Sequence, residues 1–72
     1  MLGEHRGIVL EITPFELHGV RYSDVSVKFE DTGAIDSARL GPEAVPEGLQ
    51  PGDAVLAMRA ANMIVSLRRP EP

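Results

Sequence analysis

Few side chains in this sequence are of a type and spacing that do chemistry, and they point to binding rather than turnover. His5 and His18 stand 13 residues apart with no ligand partners at metal spacing, and there is no cysteine to supply a thiolate. The hydroxyls of Thr13, Ser23, Ser26, Thr32, Ser37 and Ser66 occupy no nucleophile elbow or triad-like setting. Glu30-Asp31 falls at a reversal, where hydration accounts for the charge. The expectation is a non-enzyme with no catalytic residue, no metal site and no cofactor. Arg59 is the sharper candidate. A tetrahedral dianion is held by several backbone amides together with a cation or hydroxyl, and Ala60 and Ala61 leave the backbone beside Arg59 open for that. The competing reading makes Arg59 a surface strand residue, either in an ion pair or solvated.

A second binding class rests on Tyr22, Lys28 and Arg39. Proteins that grip single-stranded nucleic acid set aromatic and cationic side chains on one sheet face, and these three fall on the second and third strands expected here. Asp24, Glu30 and Asp36 interrupt them, and the net charge is −4, so phosphate would meet an unfavourable field. Nucleic acid is the less favoured partner.

The elements that must carry these residues are strands. At 72 residues the chain is one small domain, and with 43% hydrophobic residues, two Phe, one Tyr and no Trp its core must be aliphatic. Gly7 to Thr13 reads as the first strand, with Ile8, Leu10 and Ile12 opposite Val9 and Glu11, ending or bulging at Pro14. Phe15 to Tyr22 reads as a loop or irregular extension whose Phe15, Leu17 and Val20 cover one end of a barrel. Ser23 to Glu30 alternates cleanly, Val25, Val27 and Phe29 inward. Asp31-Thr32-Gly33 reverses the chain into Ala34 to Leu40. Pro42 to Gly48 permits about one turn of helix, limited by Pro46.

Pro51-Gly52 then fits a type II turn, leading into a strand from Asp53 with Val55, Ala57 and Arg59 on one side. Alanine, leucine and methionine would also suit a helix from Ala54 to Met63, but Met63 to Leu67 needs a strand to pair with. In that last strand Met63, Val65 and Leu67 oppose Ile64, so both faces are apolar; pairing with copies of itself is expected, and a protein-protein interaction module without a small ligand is a further alternative. Residues 1–6 and 69–72 are expected to fray. The sum is an all-β fold, a small five-stranded OB-like barrel with a short helical turn between strands 3 and 4, with an SH3-like barrel as competitor.

The run Gly48-Leu49-Gln50-Pro51-Gly52-Asp53-Ala54-Val55-Leu56-Ala57-Met58-Arg59-Ala60, with Val65 further on, resembles the end of a TOBE or molbindin module, as do Gly7-Ile8-Val9 and Ser37-Ala38-Arg39-Leu40. The resemblance covers most of the chain. It implies a homo-oligomeric module that binds an oxyanion such as molybdate or tungstate, or one that serves the ATPase of an ABC-type importer. The family shows a lysine-alanine pair followed by a small hydroxyl residue where this chain has Arg59-Ala60-Ala61, so the resemblance places the ligand at Arg59, Ala60 and Ala61, with Asn62 or Ser66 standing in for the hydroxyl. The family's amino-terminal Ser-Ala-Arg-Asn segment has no counterpart before Gly7. No phosphate-binding glycine loop is present, so any ATPase is a separate polypeptide. No stretch approaches the roughly 20 apolar residues of a membrane span, and a cytoplasmic location is expected.

Overall fold

The computed structural model describes residues 2–70, and of Leu2 only the backbone. Five strands form, β1 (Leu2–Leu17), β2 (Val20–Phe29), β3 (Ile35–Leu40), β4 (Ala54–Ala60) and β5 (Met63–Arg68), with one 3-10 turn at Pro42–Ala44 between β3 and β4. They make a single antiparallel sheet in the order β3-β2-β1-β4-β5. β1 serves both halves. It pairs with β4 from Leu2↔Ala60 to Ile8↔Ala54, and with β2 from Gly7↔Phe29 to Leu17↔Val20. The edge strands β3 and β5 approach each other, so the sheet curls into a barrel-like shape whose seam no ladder closes. The all-β reading with a helical turn between strands 3 and 4 therefore holds, and the helical alternative for Ala54 to Met63 does not.

Inside the curl lie Val9, Val25, Val27, Phe29, Leu40, Leu49, Val55, Ala57, Ile64 and Leu67, an aliphatic core around a single ring. Two turns hold its ends. Gly52, at φ 93°, closes the expected reversal, with Asp53 N donating to Gln50 O at 3.1 Å. That turn is fastened to β1 by Gly52 N donating to Val9 O at 2.7 Å and Val9 N to Asp53 O at 2.9 Å. Gly33, at φ 73°, reverses β2 into β3.

Bulges correct the expected faces of the first and last strands. In β1 the register steps from Val9↔Val27 to Glu11↔Ser26, leaving Leu10 without an opposite number. In β5 it steps from Met58↔Ser66 to Arg59↔Ile64, leaving Val65 unmatched. An extra residue reverses the phase of everything beyond it. Val9 and Ile12 therefore face in rather than Ile8, Leu10 and Ile12 sharing a side, and Ile64 joins Leu67 in the core while Val65 turns out.

Two boundaries also move. Residues 2–6, expected to fray, are paired with β4, and Glu4 accepts from Arg68 Nε at 2.6 Å and Nη2 at 2.9 Å. At the other end, Arg69 Nη2 donates to the Glu47 carbonyl at 2.9 Å, which ties down the start of the expected tail; residues 71 and 72 lie outside the described ones. Pro14 does not end β1. His18 (φ 52°) and Gly19 (φ 79°) are both left-handed, as a two-residue type I′ hairpin requires. The Leu17↔Val20 pair flanking such a turn is hydrogen-bonded, and alternation then makes Pro14↔Ser23 a non-bonded pair. The proline nitrogen faces the free edge of β1, where no donor is missed. Leu17 and Val20 cover no barrel end, being 46% and 41% exposed.

Gly7 is the tightest point. It is paired on one side with Phe29 and on the other with Val55, and a Cβ there would sit 2.5 Å from Val27 Cγ1 and 2.9 Å from the Lys28 carbonyl. Gly7→Ala is expected to lower the unfolding free energy by about 1–3 kcal/mol, the usual cost of overpacking, in urea titration. The Arg68 hydrogen bonds hold the Glu4 carboxyl below its ordinary 4.5. A carboxyl lowered on folding stabilises above its unfolded value and loses that contribution as pH falls through the folded one. Thermal unfolding midpoints should therefore drop below about pH 4.5, and less steeply in Glu4→Gln.

Candidate binding site at Arg59

Strand alternation in β4 turns Val55 and Ala57 into the core and gives Arg59 the next inward place, one residue before the strand ends at Ala60. Its side chain is 25% exposed. The guanidinium lies 4.8 Å over the Phe29 ring, and Nη2 donates to Asp36 Oδ2 at 2.9 Å. Arg59 Nε is buried and has no hydrogen-bond partner. His5 also meets Phe29, the two rings 78° apart in plane with centroids 6.1 Å apart, and its Nδ1 stands 3.7 Å from Asp31 Oδ2. The result is a cation sandwiched against an aromatic face, half neutralised, with one donor still aimed at nothing.

Sequence reasoning placed Arg59, Ala60, Ala61, Asn62 and Ser66 together. The structure joins the first four and separates the last. Ala61-Asn62 is the two-residue link between Ala60 and its partner Met63, so the turn backbone adjoins Arg59. Ser66 pairs with Met58 and shares its outward face, as does the Ala60 methyl group. Asp36, Phe29 and His5 were not foreseen as a group. The signal for Asp36 was present: it falls in the inward phase of β3 with Ala38 and Leu40, a lone carboxylate in register to meet the lone inward cation of β4.

Tyr22, Lys28 and Arg39 all face outward from β2 and β3, yet they do not form one cationic platform. Arg39 is held by Asp24 at 2.7 and 3.0 Å and stacks 3.8 Å over Phe15. Those hydrogen bonds hold the Asp24 carboxyl below its ordinary value and raise Arg39. Lys28 lies six residues from Tyr22 along β2, a distance of about 20 Å. Between them Ser26 and Ser37 hydrogen-bond across the strands at 2.8 Å, flooring a groove of about 420 Å³. Among the described residues no three acidic or histidine side chains are placed to hold a metal ion, and no helix is long and apolar enough to cross a membrane.

With this geometry in hand, the chain matches no family model, no curated protein and no solved structure.

Ala61 adopts φ 56°, a left-handed conformation that costs a residue bearing a Cβ about 1–2 kcal/mol. Glycine removes that cost and returns about 0.4–1 kcal/mol of it as unfolded-chain entropy. Ala61→Gly is therefore expected to raise the unfolding free energy by roughly 0.5–1 kcal/mol in urea titration, whereas a loss of stability would place the turn in another conformation.

Proposed function

We propose that this chain is a non-catalytic binding module, similar to the TOBE and molbindin group, that holds a small oxyanion of the molybdate or tungstate type at Arg59. The observation that carries the reading is the buried Arg59 Nε without a partner. An unmatched buried donor costs about 1–3 kcal/mol, more for a charged group, and an anion oxygen relieves that cost. The backbone of the Ala60-Ala61-Asn62 turn supplies amides beside it; Ser66, on the opposite face, takes no part. Asp36 already balances part of the arginine charge, so a dianion is favoured over a monoanion only if further donors come from elsewhere. A second copy of the chain meeting the β4-β5 turn beside Arg59 is the natural source, which makes the module a cytoplasmic homo-oligomer acting alone or beside the components of an ABC-type importer.

The second reading, single-stranded nucleic acid on the face of Tyr22, Lys28 and Arg39, is weakened by the Asp24 carboxylate that holds Arg39. Calorimetric titration with molybdate, tungstate and sulfate, beside an oligothymidine, separates the two. Under the anion reading, Asp36→Asn frees Arg59 Nη2 and removes a competing charge. It should tighten molybdate or tungstate binding severalfold, while Arg59→Lys, which keeps charge but loses Nε, weakens it by about tenfold, the equivalent of 1.4 kcal/mol. Equal affinity in all three proteins removes Arg59 from the site.

A further inference from the structure

The hairpin made by the end of β1 and the start of β2 outruns its neighbours. β4 follows β1 no further than Ile8 and β3 follows β2 no further than Ser23, so residues 14–22 form a two-stranded arm with no strand on either side. Alternation from the core pair Ile12↔Val25 sorts the arm into two faces. Pro14, Glu16, Arg21 and Ser23 continue the inward side. Arg21 and Ser23 border a cavity of about 550 Å³ above the loop from Pro42 to Leu49. Phe15, Leu17, Val20 and Tyr22 share the outward side. The polar face is thus turned in and the apolar face out, the reverse of the rest of the sheet.

This outward face holds two of the three aromatic residues of the chain, which has two Phe and one Tyr. Leu17 and Val20 form its tip and are both exposed. The face then runs into the groove floored by Ser26 and Ser37, passing the Arg39 guanidinium that covers Phe15. Charge in that groove is unbalanced. Arg39 is matched by Asp24, whereas Glu11 has no hydrogen bond or ion pair among the described residues.

We propose that the outward face of the arm, together with the groove at its base, docks an extended segment of a partner protein that brings apolar side chains to Phe15, Leu17, Val20 and Tyr22 and a lysine or arginine to Glu11. Charge decides among occupants. Nucleic acid would set phosphates against Glu11 on a chain of net charge −4, and a second copy meeting this face through its own would set Glu11 against Glu11. Aromatic and arginine side chains at the centre of a desolvated patch are the usual anchors of a protein contact. On the β1 side the segment cannot lengthen the sheet, because the Pro14 nitrogen occupies that free edge with no hydrogen to give. This surface is separate from Arg59, and the proposal stands whether or not an anion binds there.

The test is panning of displayed random twelve-residue peptides against the immobilised full chain at low salt. Enriched sequences are expected to alternate apolar residues and to carry lysine or arginine at one end. The best of them, synthesised with a fluorophore, should bind Glu11→Lys at least tenfold more weakly, and Leu17→Ser and Val20→Ser likewise, while Met63→Gln, on β5, binds as the parent does. Circular dichroism of each variant confirms that the barrel is intact, and two arm variants guard against the loss of either one. The proposal is overturned by failure to enrich any such sequence or by peptide affinity indifferent to Glu11 and the arm. Oligothymidine binding that exceeds every peptide also overturns it, as does a dimer on size-exclusion chromatography that Leu17→Ser dissociates.

Discussion

Everything in this barrel depends on β1 being hydrogen-bonded from both sides over the short overlap of Gly7 and Ile8. There the β2 ladder begins before the β4 ladder has ended, so one strand transmits register to both halves. The overlap is so tight that a side chain at Gly7 has no room beside Val27 and the Lys28 carbonyl. Val27 and Val55, which flank it on the two neighbouring strands, are fully buried. A small aliphatic core of this kind draws its stability from close contact, since a chain of this length buries only about 60% of its unfolded surface.

Around that point the sheet must curl, and the bulges at Leu10 and Val65 show how the sequence permits it. Each places core residues three apart, Val9 with Ile12 and Ile64 with Leu67, with one apolar residue turned out directly after the first of the two. An unpaired extra residue bends its strand and increases local twist. The two bulges lie on β1 and β5, on opposite sides of β4, so curvature enters at well-separated places. No ladder closes the seam between β3 and β5; instead Asp36 on β3 bonds Arg59 on β4, one strand beyond the seam.

That bridge ties architecture to chemistry. Arg59 is at once the inward cation that holds β3 to β4 and, among the described residues, the one side chain with a buried polar atom, Nε, left unmatched. A residue in both roles is poorly placed as a freely exposed ligand grip and well placed as one that binding would reorganise. The arm at the opposite reach of β1 has no structural duty of that sort, and its apolar outer face is correspondingly harder to explain by folding alone.

Alternation within short windows made much of the fold legible: Val25, Val27 and Phe29 on β2, Val55 and Ala57 on β4, the Gly33 and Gly52 turns, and the helical turn bounded by Pro42 and Pro46. These depend on dihedral preference and on polarity at spacing two, both local quantities written in neighbouring residues. Phase across β1 and β5 was not legible, because a bulge is set by what lies opposite, and Leu10 and Val65 are as apolar as the residues they displace. Nor was the pairing of residues 2–6, whose partners are fifty or more positions away in β4, or the passage of β1 through Pro14, which depends on which edge its nitrogen meets. Local order along the chain settles which residues want to be buried and where the backbone turns; which of them face each other is settled in the folded sheet, because opposition across strands is a long-range property that no run of neighbours contains.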